Sequence, residues 1–187
     1  MEYRITTDLT AEPVTLEEAK AQIVAANDED DALITSKIKT ARQWLESYTG
    51  LAFGEKTVEA YYDYLDTDYS LPIGPIIGNV TSITRTANDV DTVLTTSDYW
   101  VRGLQFPVFE FDRVWTSCGQ ARTSHKIIYQ AGFTDENPLP EPIKEAILKL
   151  VSELYRDREN TISGTINTML PYHVRSLVSP YRRNVLI

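Results

Sequence analysis

The feature that most restricts the fold of this chain is a helical pattern over residues 141–160. Pro140 and Pro142 flank its start, where a proline removes no hydrogen bond that the helix would need. The polar residues lie on one side and include Glu145 and Lys149, which have the i,i+4 spacing of an ion pair. The pattern predicts one long helix with a single buried face. The apolar positions on that face are Ile143, Ala146, Ile147, Leu150, Val151, Leu154 and Tyr155.

Two further helices are predicted before it. Thr15 and Glu18 have the spacing of a capping box, which starts a short helix that is expected to end near Ala26. An acidic turn over 27–31 favours the start of a second helix, because negative charge offsets the positive end of the helix dipole. Gly50 predicts the end of that helix, since glycine readily adopts the left-handed conformation found there. The apolar face of the second helix consists of Ile34, Ile38, Ala41, Leu45 and Tyr48.

The middle of the chain has the period of β-strands. From Val58 onward, apolar and polar residues alternate, and turn-forming residues separate several such runs. Short strands at this spacing predict a small antiparallel sheet or sandwich. The predicted strands lie near 58–64, Val80–Thr86, Thr92–Leu94, Tyr99–Arg102, Val108–Val114 and Lys126–Ala131.

These patterns predict an α+β fold with a helical core, made of two N-terminal helices and one long C-terminal helix. The antiparallel β-region is expected to be inserted into that core, because the helices on either side of it can bury their apolar faces only against each other. The helical core is assigned to residues 1–53 and 135–160, of which 1–13 form an extended arm. The β-rich insertion is assigned to 54–134, and an extended C-terminal arm to 161–187.

Composition and charge restrict the possible functions. The 187 residues suffice for one domain, or for one domain with a large insertion, and the hydrophobic fraction of 42% is typical of a folded globular chain. No run approaches the roughly 20 apolar residues of a membrane helix, and the first residues lack the layout of a signal peptide. The net charge of −9 argues against general nucleic-acid binding. Residues 160–187 contain three arginines and no acidic residue, so residues 1–159 carry −12.

No motif predicts catalysis, a cofactor or a metal site. His125, His173 and Cys118 have no spacing typical of metal ligands, and the single cysteine fits a reducing compartment. The acidic residues over 28–31 lack the central glycine and the final glutamate of a calcium loop. The common nucleophile and phosphate-binding motifs are also absent from the sequence. We therefore predict that the protein is not an enzyme.

The C-terminal segment from Leu170 onward is apolar and aromatic, is interrupted by prolines and carries arginines. One explanation is that the segment packs on its own domain, since chain ends fray unless they are held down. The explanation preferred from the sequence is an arm that inserts into a partner protein, with arginines as anchors and apolar side chains in pockets. The residues expected to contact that partner are Arg175, Leu177, Tyr181, Arg182 and Arg183.

A series of short motifs extends along nearly the whole chain. Val14–Lys20 (Val-Thr-Leu-Glu-Glu-Ala-Lys) precedes the acidic turn, and Glu46–Gly50 (Glu-Ser-Tyr-Thr-Gly) ends the second helix. Tyr129–Phe133 follows the strands, and Leu154–Glu159 ends the last long helix. In this order the motifs resemble the head–tail adaptor (connector) proteins of tailed double-stranded DNA phages and related gene-transfer particles. Leu170-Pro171, Leu177 and Pro180-Tyr181-Arg182 match the tail of that family, whereas Thr161–Thr168 matches no part of it.

The resemblance implies a structural virion protein without catalysis. Identical subunits would form a ring of twelve beneath the portal, assembled in the host cytoplasm and located at the head–tail interface of the virion. The ring would join capsid to tail and continue the channel, through which DNA passes without specific binding. One partner would be the portal protein, contacted by the five residues named above, and the other a tail-side stopper or tail terminator protein. No membrane partner is implied.

Two other functions stay open on the sequence alone. The first is a tail-side completion or stopper ring, placed below an adaptor. The second is a carbohydrate or small-molecule binding module, because the strand region is rich in tyrosine and stacked aromatic rings bind sugars and bases.

Overall fold

The structure is a computed structural model and describes residues 2–24, 28–62, 68–87, 90–95, 99–103, 106, 108–111, 124–156 and 170–183. The chain divides into two compact units. The strand unit combines Met1–Thr10 with Gly54–Asn137, and the helical unit combines Ala11–Phe53 with Pro138–Ile187.

The strand unit contains two antiparallel sheets among its described residues. The strands are β1 (Glu2–Thr7), β2 (Lys56–Tyr62), β3 (Asp68–Ser70), β4 (Ser82–Ala87), β5 (Val90–Val93), β6 (Tyr99–Arg102), β7 (Val108–Phe111) and β8 (Ser124–Ala131). The larger sheet has five strands in the order β1-β2-β8-β4-β5, and the smaller has three in the order β3-β7-β6. Successive residues of β2 alternate between buried and half-buried, because neighbouring side chains of a strand point to opposite faces.

Buried side chains from the central strands form the core of this unit. Val58, Ile83 and Ile127 are fully buried. The Tyr129 side chain is buried as well, and its hydroxyl donates to the carbonyl oxygen of Ile73 at 3.0 Å and accepts from the Ile73 N–H at 3.2 Å. A buried hydroxyl is costly unless it is paired, so these two bonds fix the segment around Ile73 to the sheet.

The helical unit contains α1 (Leu16–Ile23), α2 (Asp31–Thr49), α3 (Glu141–Arg156), α4 (Tyr172–Val178) and a short 3-10 helix over Ser179–Tyr181. α3 packs against α1, α2 and α4, which accounts for the buried part of its apolar face, from Ile143 to Val151; Leu154 and Tyr155 at its end are half-buried. The predicted capping box is confirmed: the Glu18 N–H donates to Thr15 Oγ1 at 3.1 Å and the Thr15 N–H donates to Glu18 Oε2 at 2.7 Å. No helix in the described part of the chain is both long and apolar enough to cross a membrane.

A buried arginine interrupts the apolar face of α2. Arg42 is 1% exposed, and its Nε donates to Glu12 Oε2 at 2.7 Å while its Nη1 donates to Glu46 Oε2 at 2.8 Å. Glu46 Oε1 also accepts from the N–H of Phe53 at 2.8 Å. The guanidinium group therefore connects the segment before α1 to α2, and Glu46 connects α2 to the segment that follows it.

The predicted fold class is wrong at the N terminus. Strand β1 precedes the helices, pairs with β2 and extends the larger sheet. The predicted helical core, made of two N-terminal helices and one C-terminal helix around an inserted β-region, is therefore not observed in the described residues. Lys56 of β2 is buried and its Nζ lies 3.1 Å from Asp8 Oδ1, just after β1. All six residues of β1 are exposed. Such a strand has no alternation of buried and exposed residues that a sequence pattern could show.

The prediction of an extended C-terminal arm is also wrong for the residues of that segment that the structure describes. Residues Tyr172–Val178 form α4, and Pro171 and Pro180 lie at the start of α4 and of the 3-10 helix. A proline at a helix start removes no internal hydrogen bond, so these prolines begin helical turns instead of preventing them. Residues 161–169, which include the whole of Thr161–Thr168, lie outside the described residues.

His125 on β8 is a buried histidine with an unusual environment. It lies opposite Tyr62 of β2 and Arg85 of β4, and neither ring nitrogen has a hydrogen-bond partner among the described residues. Burial lowers the pKa of His125 to about 4, and the positive charge of Arg85 acts in the same direction. The imidazole is therefore neutral in the folded protein at pH 7.

Acid should destabilise the protein through His125. Between pH 6.5 and 4 the unfolded chain takes up a proton at this position that the folded chain does not, so the free energy of unfolding falls by up to about 3 kcal/mol as pH falls. Denaturant unfolding at pH 7, 5.5 and 4.5 measures this loss. The His125→Phe variant serves as the control, because it keeps the carboxylates but lacks the titrating group. Parallel stability curves for the two proteins would contradict the prediction.

Candidate functional site

The residues that the sequence predicts to contact a partner lie in the described C-terminal segment, and three of them meet the end of α2. Arg175 of α4 donates from Nε to the hydroxyl of Tyr48 at 3.2 Å. The guanidinium carbon of Arg182 lies 4.9 Å from the centroid of the Tyr48 ring, within the range of a cation–π interaction. The backbone N–H of Arg183 donates to the carbonyl oxygen of Thr49 at 3.0 Å. We call Arg175, Arg182 and Arg183 the arginine cluster.

The position of the arginine cluster follows from the helix that it meets. The last carbonyl groups of a helix carry partial negative charge and have no partner within the helix. α2 has no basic residue in its own last turn, and it ends at Gly50, where φ is 75°. The arginines therefore supply the positive charge that this helix end lacks, and the Arg183 N–H satisfies one of its carbonyl oxygens.

Apolar contacts hold the same segment in place. Val174 and Val178 are one helical turn apart on α4 and are fully buried, while Leu177 and Tyr181 are half-buried. Tyr172 and Arg175 point the other way and are exposed. Residues 170–183 thus pack on their own helical unit, which is the explanation that the sequence analysis left as the alternative. The outer face of the segment presents arginine and tyrosine.

Few groups in the described residues could hold a metal ion. His173 lies on α4 with its Nε2 3.2 Å from Glu153 Oε1, and His125 is buried in the larger sheet. Cys118 lies outside the described residues. No cluster of three or more histidine, cysteine or acidic side chains with the geometry of a metal site was found in the described part of the chain.

Most described tyrosines of the strand unit give little surface for stacking a ligand, although Tyr3 on β1 is 48% exposed. Tyr62, Tyr99 and Tyr129 are buried, and burial raises the pKa of Tyr99. Tyr61 is half-buried, and its hydroxyl donates to Glu59 Oε2 at 2.8 Å. These side chains serve mainly in packing and local hydrogen bonding.

The role of Tyr48 differs from the prediction. The sequence pattern places this residue on the buried face of α2, whereas its side chain is half-buried and contacts two arginines. Arg175 is 127 positions away in the sequence, so no local pattern could have indicated the pairing.

A model of the head completion protein family matches residues 12–184, which is most of the chain. The chain belongs to the head completion protein family. This membership confirms the resemblance to head–tail connector proteins that the sequence motifs indicated. A search of curated proteins found no match to the chain.

Protein chains in solved structures of gene transfer agent particles share the fold of this chain. A chain in the neck of an empty gene transfer agent particle, computed with C6 symmetry, matches with a TM-score of 0.75 at 19% identity over 100% of this chain and 98% of that chain. A chain in the virion of a native gene transfer agent particle matches with a TM-score of 0.77 at 18% identity and the same coverage. A chain in the neck of a native particle, computed with C12 symmetry, matches with a TM-score of 0.67 at 19% identity over 98% of this chain and 97% of that chain.

Proposed function

We propose that this protein is a non-catalytic structural subunit of a virion neck, where a ring of copies joins the head to the tail and continues the DNA channel. The observation that carries the proposal is the match to neck chains over 98–100% of this chain, in a family named for head completion. A fold shared along the whole length supports a shared architectural role better than one shared motif would.

The ring is proposed to contain twelve copies. The similar neck structures were computed with C6 and C12 symmetry, which supports a cyclic arrangement. A cyclic ring uses head-to-tail contacts, so each subunit needs two different surfaces that fit each other. The negative net charge of −9 suits a channel wall, because sites that bound phosphate tightly would hold DNA that must slide.

The proposed portal contact consists of the arginine cluster with Leu177 and Tyr181. The three arginines meet the end of α2 and offer charged hydrogen-bond donors, and the half-buried Leu177 and Tyr181 of the same segment offer apolar area. Such a surface fits an acidic patch with apolar pockets on the portal protein. A tail-side stopper or tail terminator protein is the proposed second partner.

Reversing one charge tests the portal contact. Arg182→Glu should weaken binding to portal-bearing capsids at least tenfold, because it replaces an exposed cation with an anion facing the proposed acidic patch. Lys39→Glu makes the same change of charge at an exposed site of α2 and serves as the matched control. Binding is measured by co-sedimentation, and unchanged circular dichroism establishes folding. Equal binding of the two variants would contradict the assignment of the contact.

Assembling particles without this protein tests the proposed function of joining the head to the tail. Particles assembled without it are expected to have DNA-filled heads that lack tails in electron micrographs, and adding the protein should restore attachment. Cross-linking then identifies its neighbours in complete particles. Contact with the portal supports the adaptor position, whereas contact with tail components alone would favour a tail-side completion ring. Normal tail attachment without the protein would overturn the proposed function.

A further inference from the structure

Both outer strands of the larger sheet are uncovered in the described residues. All six residues of β1 and all four of β5 are exposed, whereas the strands between them contribute the buried core. An outer strand has a row of backbone N–H and C=O groups on its free side, and these groups can pair with another chain. Among the described residues, the sheet thus has a strand with an unpaired outer side at each of its two edges.

Proteins that do not pair through an outer strand often protect that strand with proline, lysine or a β-bulge, whereas β1 and β5 carry exposed apolar side chains. Proline and lysine, which commonly block pairing at an edge, are absent from β1 and β5. The register of β1 shifts only at its end, between Ile5 and Thr7. Neither strand is blocked by proline or lysine, although β1 carries Glu2 and Arg4 and β5 is a strand of only four residues that includes Asp91. The exposed fractions are 48% for Tyr3, 42% for Ile5, 63% for Val90 and 65% for Val93.

An open pocket lies over the paired strands β1 and β2, since Tyr61 belongs to β2 and lies opposite Glu2 of β1. It has a volume of about 210 Å³ and is lined by Glu2, Tyr3, Arg4 and Tyr61. Arg4 Nη2 lies 2.6 Å from Glu59 Oε2, and hydrogen bonds from Tyr61 and Arg4 hold the pKa of Glu59 below its usual range. The carboxylate therefore stays charged and keeps Arg4 in place. Strand addition at a sheet edge commonly combines backbone pairing with a neighbouring pocket for a side chain.

The two edges carry exposed side chains of opposite charge, Arg4 on β1 and Asp91 on β5, although β1 also carries Glu2. Arg4 on β1 remains largely exposed despite its contact with Glu59, and Asp91 on β5 is an exposed carboxylate that accepts a hydrogen bond from Thr86.

The direction of the strands also allows β1 of one copy to contact β5 of another. Each neighbouring pair in the sheet is antiparallel, so β1 and β5, at the first and fifth places, run the same way. A copy rotated slightly about a ring axis would place its β1 parallel to β5.

We propose that copies of this chain join through these edges, with β1 of one subunit beside β5 of the next. The contact is head-to-tail, so it repeats around a closed ring and leaves no edge free. The inference rests on the proposed ring in the neck and names the surface that closes it. In this arrangement the exposed Arg4 of one subunit would face the exposed Asp91 of the next.

Cross-linking of assembled rings tests the contact. In a Cys118→Ser background, Ile5→Cys is combined with either Val90→Cys or Val93→Cys, which sample the two faces of β5. Necks purified with each variant are treated with a bismaleimide. At least one double variant should give a ladder of covalent oligomers up to the full ring, and each single-cysteine variant should stay monomeric. Ile5→Lys should reduce ring formation at least tenfold, whereas Gln43→Lys, an exposed change on α2, should not.

The outcomes separate the inference from the proposed function. Rings that form normally but give no ladder in either double variant would overturn the edge contact and leave the neck function intact. Dimers from the Ile5→Cys variant alone would show that two β1 strands meet, which would also overturn the head-to-tail contact. Necks that contain no ring of this protein would overturn both.

Discussion

Replacing Gly132 with alanine should destabilise the strand unit severely. Gly132 has φ of 137°, a conformation that is essentially restricted to glycine, and a Cβ added there would lie 2.1 Å from the carbonyl oxygen of Gly54. The obstacle is backbone, which cannot rotate away as a side chain can. Strained backbone contributes roughly 1–3 kcal/mol and forced displacement a similar amount. We therefore expect the free energy of unfolding to fall by about 4 kcal/mol, measured by denaturant titration.

Gly78 provides the matched control. It also has a positive φ, of 63°, but a Cβ added there would meet no atom within 4 Å. Gly78→Ala should cost only about 1 kcal/mol, the ordinary penalty of the left-handed conformation. The difference between the two variants measures the effect of the close approach to Gly54. Similar losses in both would show that the backbone conformation alone accounts for the cost.

Arg42→Ala should destabilise the helical unit by about 3–5 kcal/mol, because it leaves Glu12 and Glu46 without the cation that neutralises them. The side chain of Glu46 is only 10% exposed, so water cannot replace the lost partner fully. The Phe53 N–H would still hydrogen-bond to Glu46, but it would not compensate a full charge. Thermal and denaturant unfolding measure the change.

A surface ion pair provides the comparison. Lys149 Nζ lies 3.0 Å from Glu145 Oε1 on α3 with both side chains partly exposed, so Lys149→Ala should cost no more than about 0.5 kcal/mol. Arg42→Met tests whether the charge itself matters, since methionine retains much of the buried volume. If Arg42→Met were as stable as the native protein, the side chain would contribute mainly packing.

The two proposed contact surfaces, one for the portal and one for neighbouring copies, lie on different units of the chain. The arginine cluster lies on the helical unit, and the two sheet edges lie on the strand unit. Contact with a portal and contact between copies can therefore be disrupted separately. Arg182→Glu should leave rings intact, and Ile5→Lys should leave the arginine cluster intact.

The candidate site was only partly predictable. Charge composition alone pointed to Arg175, Arg182 and Arg183, because no acidic residue follows Glu159. Their conformation was not predictable, since it depends on the carbonyl end and the Tyr48 ring of a helix more than 120 positions earlier. Whether these residues contact a portal stays a prediction.

The sequence by itself determined the features that depend on neighbours within a few positions. The capping box of Thr15 and Glu18 and the glycine that ends α2 are interactions within one helical turn, so residue identity and spacing suffice to predict them. The tertiary structure alone decided that residues 2–7 pair with β2 and that Arg42 is buried between two glutamates. Although Glu46 is only four positions from Arg42, Glu12 is 30 positions away and Glu59 of β2 is 55 positions from Arg4 of β1, and the approach of these distant partners is set by packing of the whole unit.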